Sequence, residues 1–150
     1  MPGIVVGIDG SQRSARALEW ALRQGAVRHA AVTVLTVHMV PASPWTGNPV
    51  ILAGDPAEQE RVFKAADELT QQVASRLGGL RPEHVTVRAV TGYPAKELID
   101  ASRDADLVVV GSRGAGGFAR LMAGSVSSQV VQHAHCPVVV VPGERSAPAC

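Results

Sequence analysis

The sequence predicts a three-layer α/β/α sandwich, in which helices cover both faces of a Rossmann-like parallel β-sheet. Short aliphatic segments alternate with longer amphipathic segments along the chain, and no internal repeat or second core interrupts them. Hydrophobic residues make up 46% of the 150 residues, whereas aromatic residues make up only 3%. A core of Val, Leu, Ile and Ala is typical of parallel strands that are buried on both faces. We expect one domain over residues 1–143, followed by a disordered tail over residues 144–150.

Five valine-rich segments predict the strands of the sheet, because each is short and rich in β-branched residues. Helical segments separate successive strands, and this alternation is typical of a parallel sheet with right-handed crossovers. We expect the strand order 3-2-1-4-5. The predicted strands are Ile4–Ile8, Val32–Val40, Val85–Val90, Leu107–Val110 and Pro137–Val141.

Four segments between the strands carry apolar residues at the spacing of a helix. Either Ser11 or Ser14 is expected to cap the first helix. Gly78-Gly79 ends the second helix, and Pro94 begins the third. The predicted helices are Ser14–Arg28, Ala57–Leu77, Pro94–Ser102 and Ser125–His133.

The last helix and the strand after it form the closing part of the chain. Val126, Val130 and Val131 are expected on the buried side of this helix. Val138–Val141 is typical of an aliphatic edge strand, bounded by a proline at each end. An exposed edge of this kind pairs readily with a copy of itself, although the C-terminal tail could cover it instead.

Charge and composition exclude several partners. A formal net charge of +1 gives no large field to attract nucleic acid or an anionic membrane. No apolar segment approaches the roughly 20 residues of a membrane helix, and no basic segment precedes the first strand as in a secretory signal. Cys136 and Cys150 have neither redox nor zinc spacing, so we expect both to be reduced, in a cytoplasmic protein.

The connection from Val40 to Pro56 is long for this fold class and contains several prolines. Connections in α/β domains are normally short, so this length indicates a mobile flap over a site. An ordinary variable loop is the alternative.

The segment between the fourth strand and the last helix is the most typical of ligand binding. Gly111 and Gly114 follow the strand, Gly124-Ser125 enters the helix, and Ser127 adds a hydroxyl. Glycine lets backbone N–H groups turn toward an anion, and a helix N-terminus presents unsatisfied N–H groups. Ligands of open α/β sheets bind at the carboxyl ends of the strands. The segment therefore predicts a phosphate site, although a glycine-rich turn can also serve only to pack helix against strand.

The pattern Gly111-x2-Gly114-x9-Gly124-Ser125 resembles the nucleotide motif of the universal stress protein family, in its ATP-binding branch. The resemblance covers nearly the whole chain and implies an adenine nucleotide alpha hydrolase-like fold. It also implies a homodimer through the last strand. The other segments that are similar to the family are Val5–Ser11, Gly92–Ala95 and His133–Val141.

The resemblance implies a role for each residue of a nucleotide site. Asp9 would hydrogen-bond the adenosine, with Gly7 close by, and Val37 would pack against the base. Asp9 could instead only cap the following turn through Ser11 or Ser14. Gly7 stands where some members carry proline. The residues implied for the adenosine and phosphate path are Val110, Gly111 and Gly114, and those implied for the phosphates are Gly124, Ser125, Val126 and Ser127.

The expected function is that of an ATP-binding universal stress protein, which acts as a nucleotide-dependent stress or signalling regulator. Phosphate oxygens would be the main ligands of an accompanying Mg²⁺. No protein metal site and no catalytic residue are predicted. The lysine of a P-loop and the Gly-x-Ser-x-Gly turn of a hydrolase are both missing from the sequence. The alternatives are a slow ATPase, a nucleotidyl-transfer enzyme on the same fold, and a cyclic AMP-binding module.

Overall fold

The computed structural model describes residues 3–39, 56–112 and 125–142. The strands are β1 (Ile4–Ile8), β2 (Val32–Met39), β3 (Val85–Gly92), β4 (Leu107–Gly111) and β5 (Val138–Val141). The helices are α1 (Ala15–Arg28), α2 (Pro56–Leu77), α3 (Pro94–Ala101) and α4 (Ser125–His133).

The five strands form one parallel sheet in the order β3-β2-β1-β4-β5. This order and the layered fold confirm the prediction from the sequence. The layered fold follows from continuous aliphatic strands, since Val108, Val109 and Val110 on the interior strand β4 are all buried.

Helices cover both faces of the sheet. Leu22 of α1 and Leu69 of α2 belong to one buried cluster, together with Val6 of β1. Leu98 of α3 and Val130 of α4 belong to a second cluster on the opposite face. The helix that follows β1 and the helix that follows β4 therefore lie on opposite faces. This arrangement makes the carboxyl ends of β1 and β4 the topological switch point of the sheet.

Two glycines fit the helices to the sheet. Gly78, with a φ of 56°, adopts the left-handed conformation directly after α2, as the sequence predicted. Gly25 is buried in α1, where a Cβ atom would lie 2.5 Å from Cγ2 of Val32. Gly25 therefore allows the end of α1 to approach the start of β2 closely.

The prediction that Ser11 or Ser14 caps α1 was wrong. Neither hydroxyl makes a capping hydrogen bond, and a short 3₁₀ turn, Gln12–Ser14, precedes the helix. The turn brings the N–H and the hydroxyl of Ser14 onto the same acceptor, the carbonyl oxygen of Ser11, at 3.1 and 2.7 Å. The hydroxyl of Ser14 is therefore a donor within the turn rather than an acceptor at the helix start.

The placement of Val131 on the buried side of α4 was also wrong. Val130 is fully buried, whereas Val131 is 54% exposed. Val126 packs against the second cluster with Val130, four residues apart on the same side of the helix. Val131 lies about 100° further around the helix, because an α-helix has 3.6 residues per turn.

Strand bounds differ from the predictions by one or two residues. β3 continues to Gly92, because it pairs with β2 as far as Met39. β4 includes Gly111, which pairs with Val141 of β5. Val40, the long connection after it and the tail over residues 144–150 lie outside the described residues, and the domain bounds stay a prediction.

Candidate nucleotide site

The strand register brings Asp9 and Val37 to the same part of the carboxyl edge of the sheet. Ile8 of β1 pairs with Thr36 of β2, and Asp9 and Val37 are the next residues of the two strands. Asp9 is exposed, and Val37 packs in part against the second buried cluster. A carboxylate and an apolar residue thus lie on neighbouring chain segments at the edge of the sheet where ligands of this fold class bind.

A tight turn after β1 holds the carboxylate of Asp9. Its Oδ1 accepts a hydrogen bond from the N–H of Ser11 at 2.9 Å and a second one from the Ser11 hydroxyl. Gly10 has a φ of 81°, which a residue with a side chain adopts only with strain. Asp9 therefore does cap the following turn, as the predicted alternative stated. Both hydrogen bonds use only one of its two carboxylate oxygens.

Gly7 and Val110 contribute to the floor of the site rather than to its surface. A Cβ atom on Gly7 would lie 2.8 Å from Cδ1 of Leu98, so α3 fills the space that the glycine leaves. Val110 is only 3% exposed and belongs to the second buried cluster. At both positions the structure shows packing against helices.

The end of β4 lies beside the end of β5. Gly111 pairs with Val141, and the N–H of Ser112 donates to the Val141 carbonyl oxygen at 2.9 Å. Ser112 is half-buried at the point where the chain leaves the sheet. Gly114 and Gly124, predicted for the phosphate path, lie outside the described residues.

Helix α4 begins at Ser125, on the far side of that segment. Val126 is half-buried, whereas Ser127 is only 1% exposed. The side chain of Ser127 therefore lies within the fold. A helix N-terminus directs its unsatisfied N–H groups and its positive dipole end outward, so this end of α4 has the electrostatics of an anion site.

The predicted site residues did not include Ser11 or Ser112, although Ser11 was one of the two serines through which Asp9 was expected to cap the turn. The spacing Asp9-Gly-Ser11 was a usable signal for Ser11, because an aspartate commonly accepts the N–H two residues further on. No comparable signal indicates Ser112, since its position depends on the pairing of β4 with β5.

Two further features bear on the site. Across the described ranges, no group of three His, Cys, Asp or Glu side chains lies together as metal ligands. A groove of about 900 Å³ lies elsewhere, between α2 and the start of β3, and Asp67, Arg81 and Val85 line it. Because Val85 begins β3, this groove is at the amino end of the strands and is separate from the candidate site.

These features define the class of protein as a doubly wound parallel α/β domain with a candidate ligand site at its switch point. A sequence profile described as the Universal stress protein family matches residues 2–142. The chain belongs to the universal stress protein family.

Three related proteins illustrate the similarity. A universal stress protein of Mycolicibacterium smegmatis is 34% identical over 145 residues, which are 97% of this chain and 49% of the relative. Universal stress protein UspA from Lactobacillus plantarum has a TM-score of 0.69 at 25% identity, covering 93% of this chain and 97% of that one. A universal stress protein solved in complex with cAMP has a TM-score of 0.65 at 24% identity, covering 94% of this chain and 96% of that one. The chain spans about half the length of the curated relatives that it matches.

No helix in the described part of the chain has the length and the hydropathy that crossing a membrane requires.

Proposed function

We propose that the chain binds an adenine nucleotide, ATP together with Mg²⁺, at the carboxyl edge of the sheet, and that the bound nucleotide regulates its conformation in a stress or signalling response. The observation that carries this proposal is the convergence of Asp9, Val37, Gly111 and the start of α4 on the switch point between β1 and β4.

Each of these elements suits one part of ATP. The Asp9 carboxylate accepts hydrogen bonds from the adenosine, and Val37 offers an apolar contact to the base. The backbone N–H groups at the start of α4, with those of Gly111, Gly114 and Gly124, bind the phosphates. Because the side chain of Ser127 is buried, we assign its phosphate contact to the backbone N–H.

The expected affinity follows from the number of charged contacts. Hydrogen bonds to a charged group contribute roughly 1.5–3 kcal/mol each. Three or four of them, less the cost of ordering the surrounding chain, correspond to a dissociation constant on the order of micromolar. Mg²⁺ would be held mainly by phosphate oxygens, since it keeps several waters and binds few protein ligands.

Membership of the universal stress protein family supports the proposal. A relative with the same fold was solved in complex with cAMP, which is an adenine nucleotide. The ligand of that protein supports the adenine nucleotide class as the ligand proposed here.

Isothermal titration calorimetry with ATP, ADP and cyclic AMP tests the proposal. We expect binding of ATP, stronger with Mg²⁺ present, and weaker binding after Asp9→Asn. Asp104→Asn is the matched control, because Asp104 is exposed and precedes the amino end of β4, at the opposite edge of the sheet. Absence of heat with every adenine nucleotide would refute nucleotide binding, and tighter binding of cyclic AMP than of ATP would refute the choice of ATP.

The regulatory part of the proposal has a separate test. Limited proteolysis with and without ATP is expected to give different cleavage patterns if nucleotide occupancy changes the conformation. Identical patterns at saturating ATP would leave binding intact but contradict regulation through conformation.

We also propose a homodimer that forms through β5. This strand is at one edge of the sheet and pairs there with β4. The carbonyl oxygens of Pro137 and Val141 point toward β4, so the backbone groups of Val138 and Val140 point away from it. Light scattering should give a dimer mass, and Val140→Pro, which removes one outward N–H, should give a monomer mass; a monomer for the unmodified chain would refute the dimer.

We place this function in the cytoplasm. Among the described residues, Cys136 is a free cysteine, which is consistent with a reducing compartment. Fractionation of the cells that produce the protein would test the location.

A further inference from the structure

We infer that Ser11 is a positioning residue for the Asp9 carboxylate, and that it leaves one carboxylate oxygen directed to the nucleotide. This inference rests on the proposed function. Ser11 uses both of its donors, the N–H and the hydroxyl, on the same oxygen, Oδ1 of Asp9. Among the described residues, no hydrogen bond is directed to Oδ2 of Asp9, so this oxygen is the one that a ligand can reach.

The hydroxyl of Ser11 does not make the capping hydrogen bond that its position favours. Ser11 is at the N-cap of the 3₁₀ turn, with the extended φ and ψ of −85° and 162° that such a position requires. A serine there usually accepts a backbone N–H with its side chain. Here the side chain makes no capping bond and turns back to Asp9 instead.

Hydrogen bonds from Ser14 also stabilise this turn. The N–H and the hydroxyl of Ser14 both donate to the carbonyl oxygen of Ser11. Ser14 is only 6% exposed, so this anchor belongs to the packed part of the protein. The chain of contacts from Ser14 through Ser11 to Asp9 connects the buried start of the first helix to an exposed carboxylate.

Fixing the carboxylate before the ligand binds raises the affinity for the ligand, because less conformational entropy is lost on binding. An exposed aspartate samples several rotamers, and binding must immobilise it at a cost in conformational entropy. Two donors on Oδ1 restrict that freedom and determine the direction of Oδ2. They also mean that the Ser11 hydroxyl is not available as a donor to a phosphate group.

A double-mutant cycle on the full chain tests the inference, with ATP affinity measured by calorimetry. Ser11→Ala removes the hydroxyl and is expected to weaken ATP binding about three- to tenfold, the scale of one ordinary net hydrogen bond, because the hydroxyl acts on the ligand only through the carboxylate. Ser11→Thr keeps the hydroxyl and is expected to stay within about twofold of the unmodified chain. Ser75→Ala is the matched control, because Ser75 is exposed on α2 and its hydroxyl donates only to its own helix, at Gln72.

The second arm of the cycle distinguishes positioning from a structural role. Asp9→Asn keeps an Oδ1 acceptor, so the turn still closes, but it removes the carboxylate. In that background Ser11→Ala is expected to change ATP affinity by less than about twofold, because the effect of Ser11 passes through the carboxylate. An equal loss in both backgrounds, or a loss that follows a fall in melting temperature, would assign Ser11 a structural role and overturn the inference.

The two proposals fail in distinguishable ways. If the unmodified chain binds ATP and Ser11→Ala binds it equally well, the positioning role is refuted and the proposed function stands. If the unmodified chain binds no adenine nucleotide, both are refuted.

Discussion

Replacing Gly7 by valine separates a packing role of this glycine from a role in ligand contact. In the structure a Cβ atom on Gly7 would lie 2.8 and 2.9 Å from Cδ1 and Cδ2 of Leu98, well inside normal contact distances. Leu98 is only 3% exposed within the second buried cluster, so its side chain has little room to move away. We therefore expect Gly7→Val to destabilise the fold by displacing α3 from β1.

The magnitude is a balance of two opposing effects. Inserting methyl groups into a packed core typically costs about 1–3 kcal/mol. Removing a glycine from a strand returns roughly 0.5–1 kcal/mol, because glycine loses more backbone freedom on folding than other residues. The net loss is about 0–2.5 kcal/mol, and its midpoint near 1 kcal/mol corresponds to a fall in melting temperature of about 2–4 °C for a domain of this size.

Thermal unfolding of Gly7→Val, Leu98→Ala and the double variant measures the contact directly. Leu98→Ala alone should cost about 2–5 kcal/mol, since it leaves a cavity in the second cluster. The double variant should cost less than the sum by about 1 kcal/mol or more, because valine at position 7 fills part of that cavity. Strictly additive costs, or a melting temperature of Gly7→Val at or above that of the unmodified chain, would refute the reasoning.

Three further predictions concern packing, pH and thiol reactivity. Gly25→Ala should lower the melting temperature despite the higher helix propensity of alanine, because the new Cβ would lie 2.5 Å from Cγ2 of the buried Val32. Gly79→Ala is the control and should be nearly neutral, because a Cβ atom there would have nothing within 4 Å. The hydrogen bond from Lys96 lowers the pKa of Asp100. The small stabilisation from this pair is therefore present above the pKa of the unfolded carboxyl group and is lost as the pH falls through the folded pKa. NMR titration of Lys96→Gln should show the pKa of Asp100 shifted upward. Burial raises the pKa of the Cys136 thiol, so its alkylation, followed by peptide mass spectrometry, should be slower in the folded chain than in urea; equal rates would contradict the burial.

The sheet could be predicted from the sequence because strand identity depends on local composition. β1 has the predicted bounds, and the other strands differ by one or two residues. The spacing of apolar residues also placed Leu69 and Val130 correctly in the core. The placement of Val131 failed because three valines within six residues of a helix do not show which of them faces the sheet.

The parts that could not be predicted depend on contacts between distant segments. The hydroxyl of Ser102 accepts the N–H of His135, which fixes the end of α3 to the turn before β5. No pattern in the sequence indicates this contact, since 33 residues separate the two groups. The packing of Leu98 into the space above Gly7 is of the same kind, and it gives a structural reason for a glycine that the family resemblance had connected with the nucleotide.

The polar residues of the candidate site differ from the residues that set the fold, and this makes the functional proposal testable. The residues that set the sheet are buried aliphatic side chains. Asp9 and Ser112 come directly after strands, Ser11 lies in the turn after Asp9, and all three are at least partly exposed. Removal of the Asp9 carboxylate or of the Ser11 hydroxyl should therefore change ligand binding with little effect on stability, because no large apolar group is removed from the core. The opposite result at Asp9, a large loss of stability with unchanged ATP affinity, would mean that the carboxylate serves only the turn, and the nucleotide proposal would then lose its contact to the adenosine.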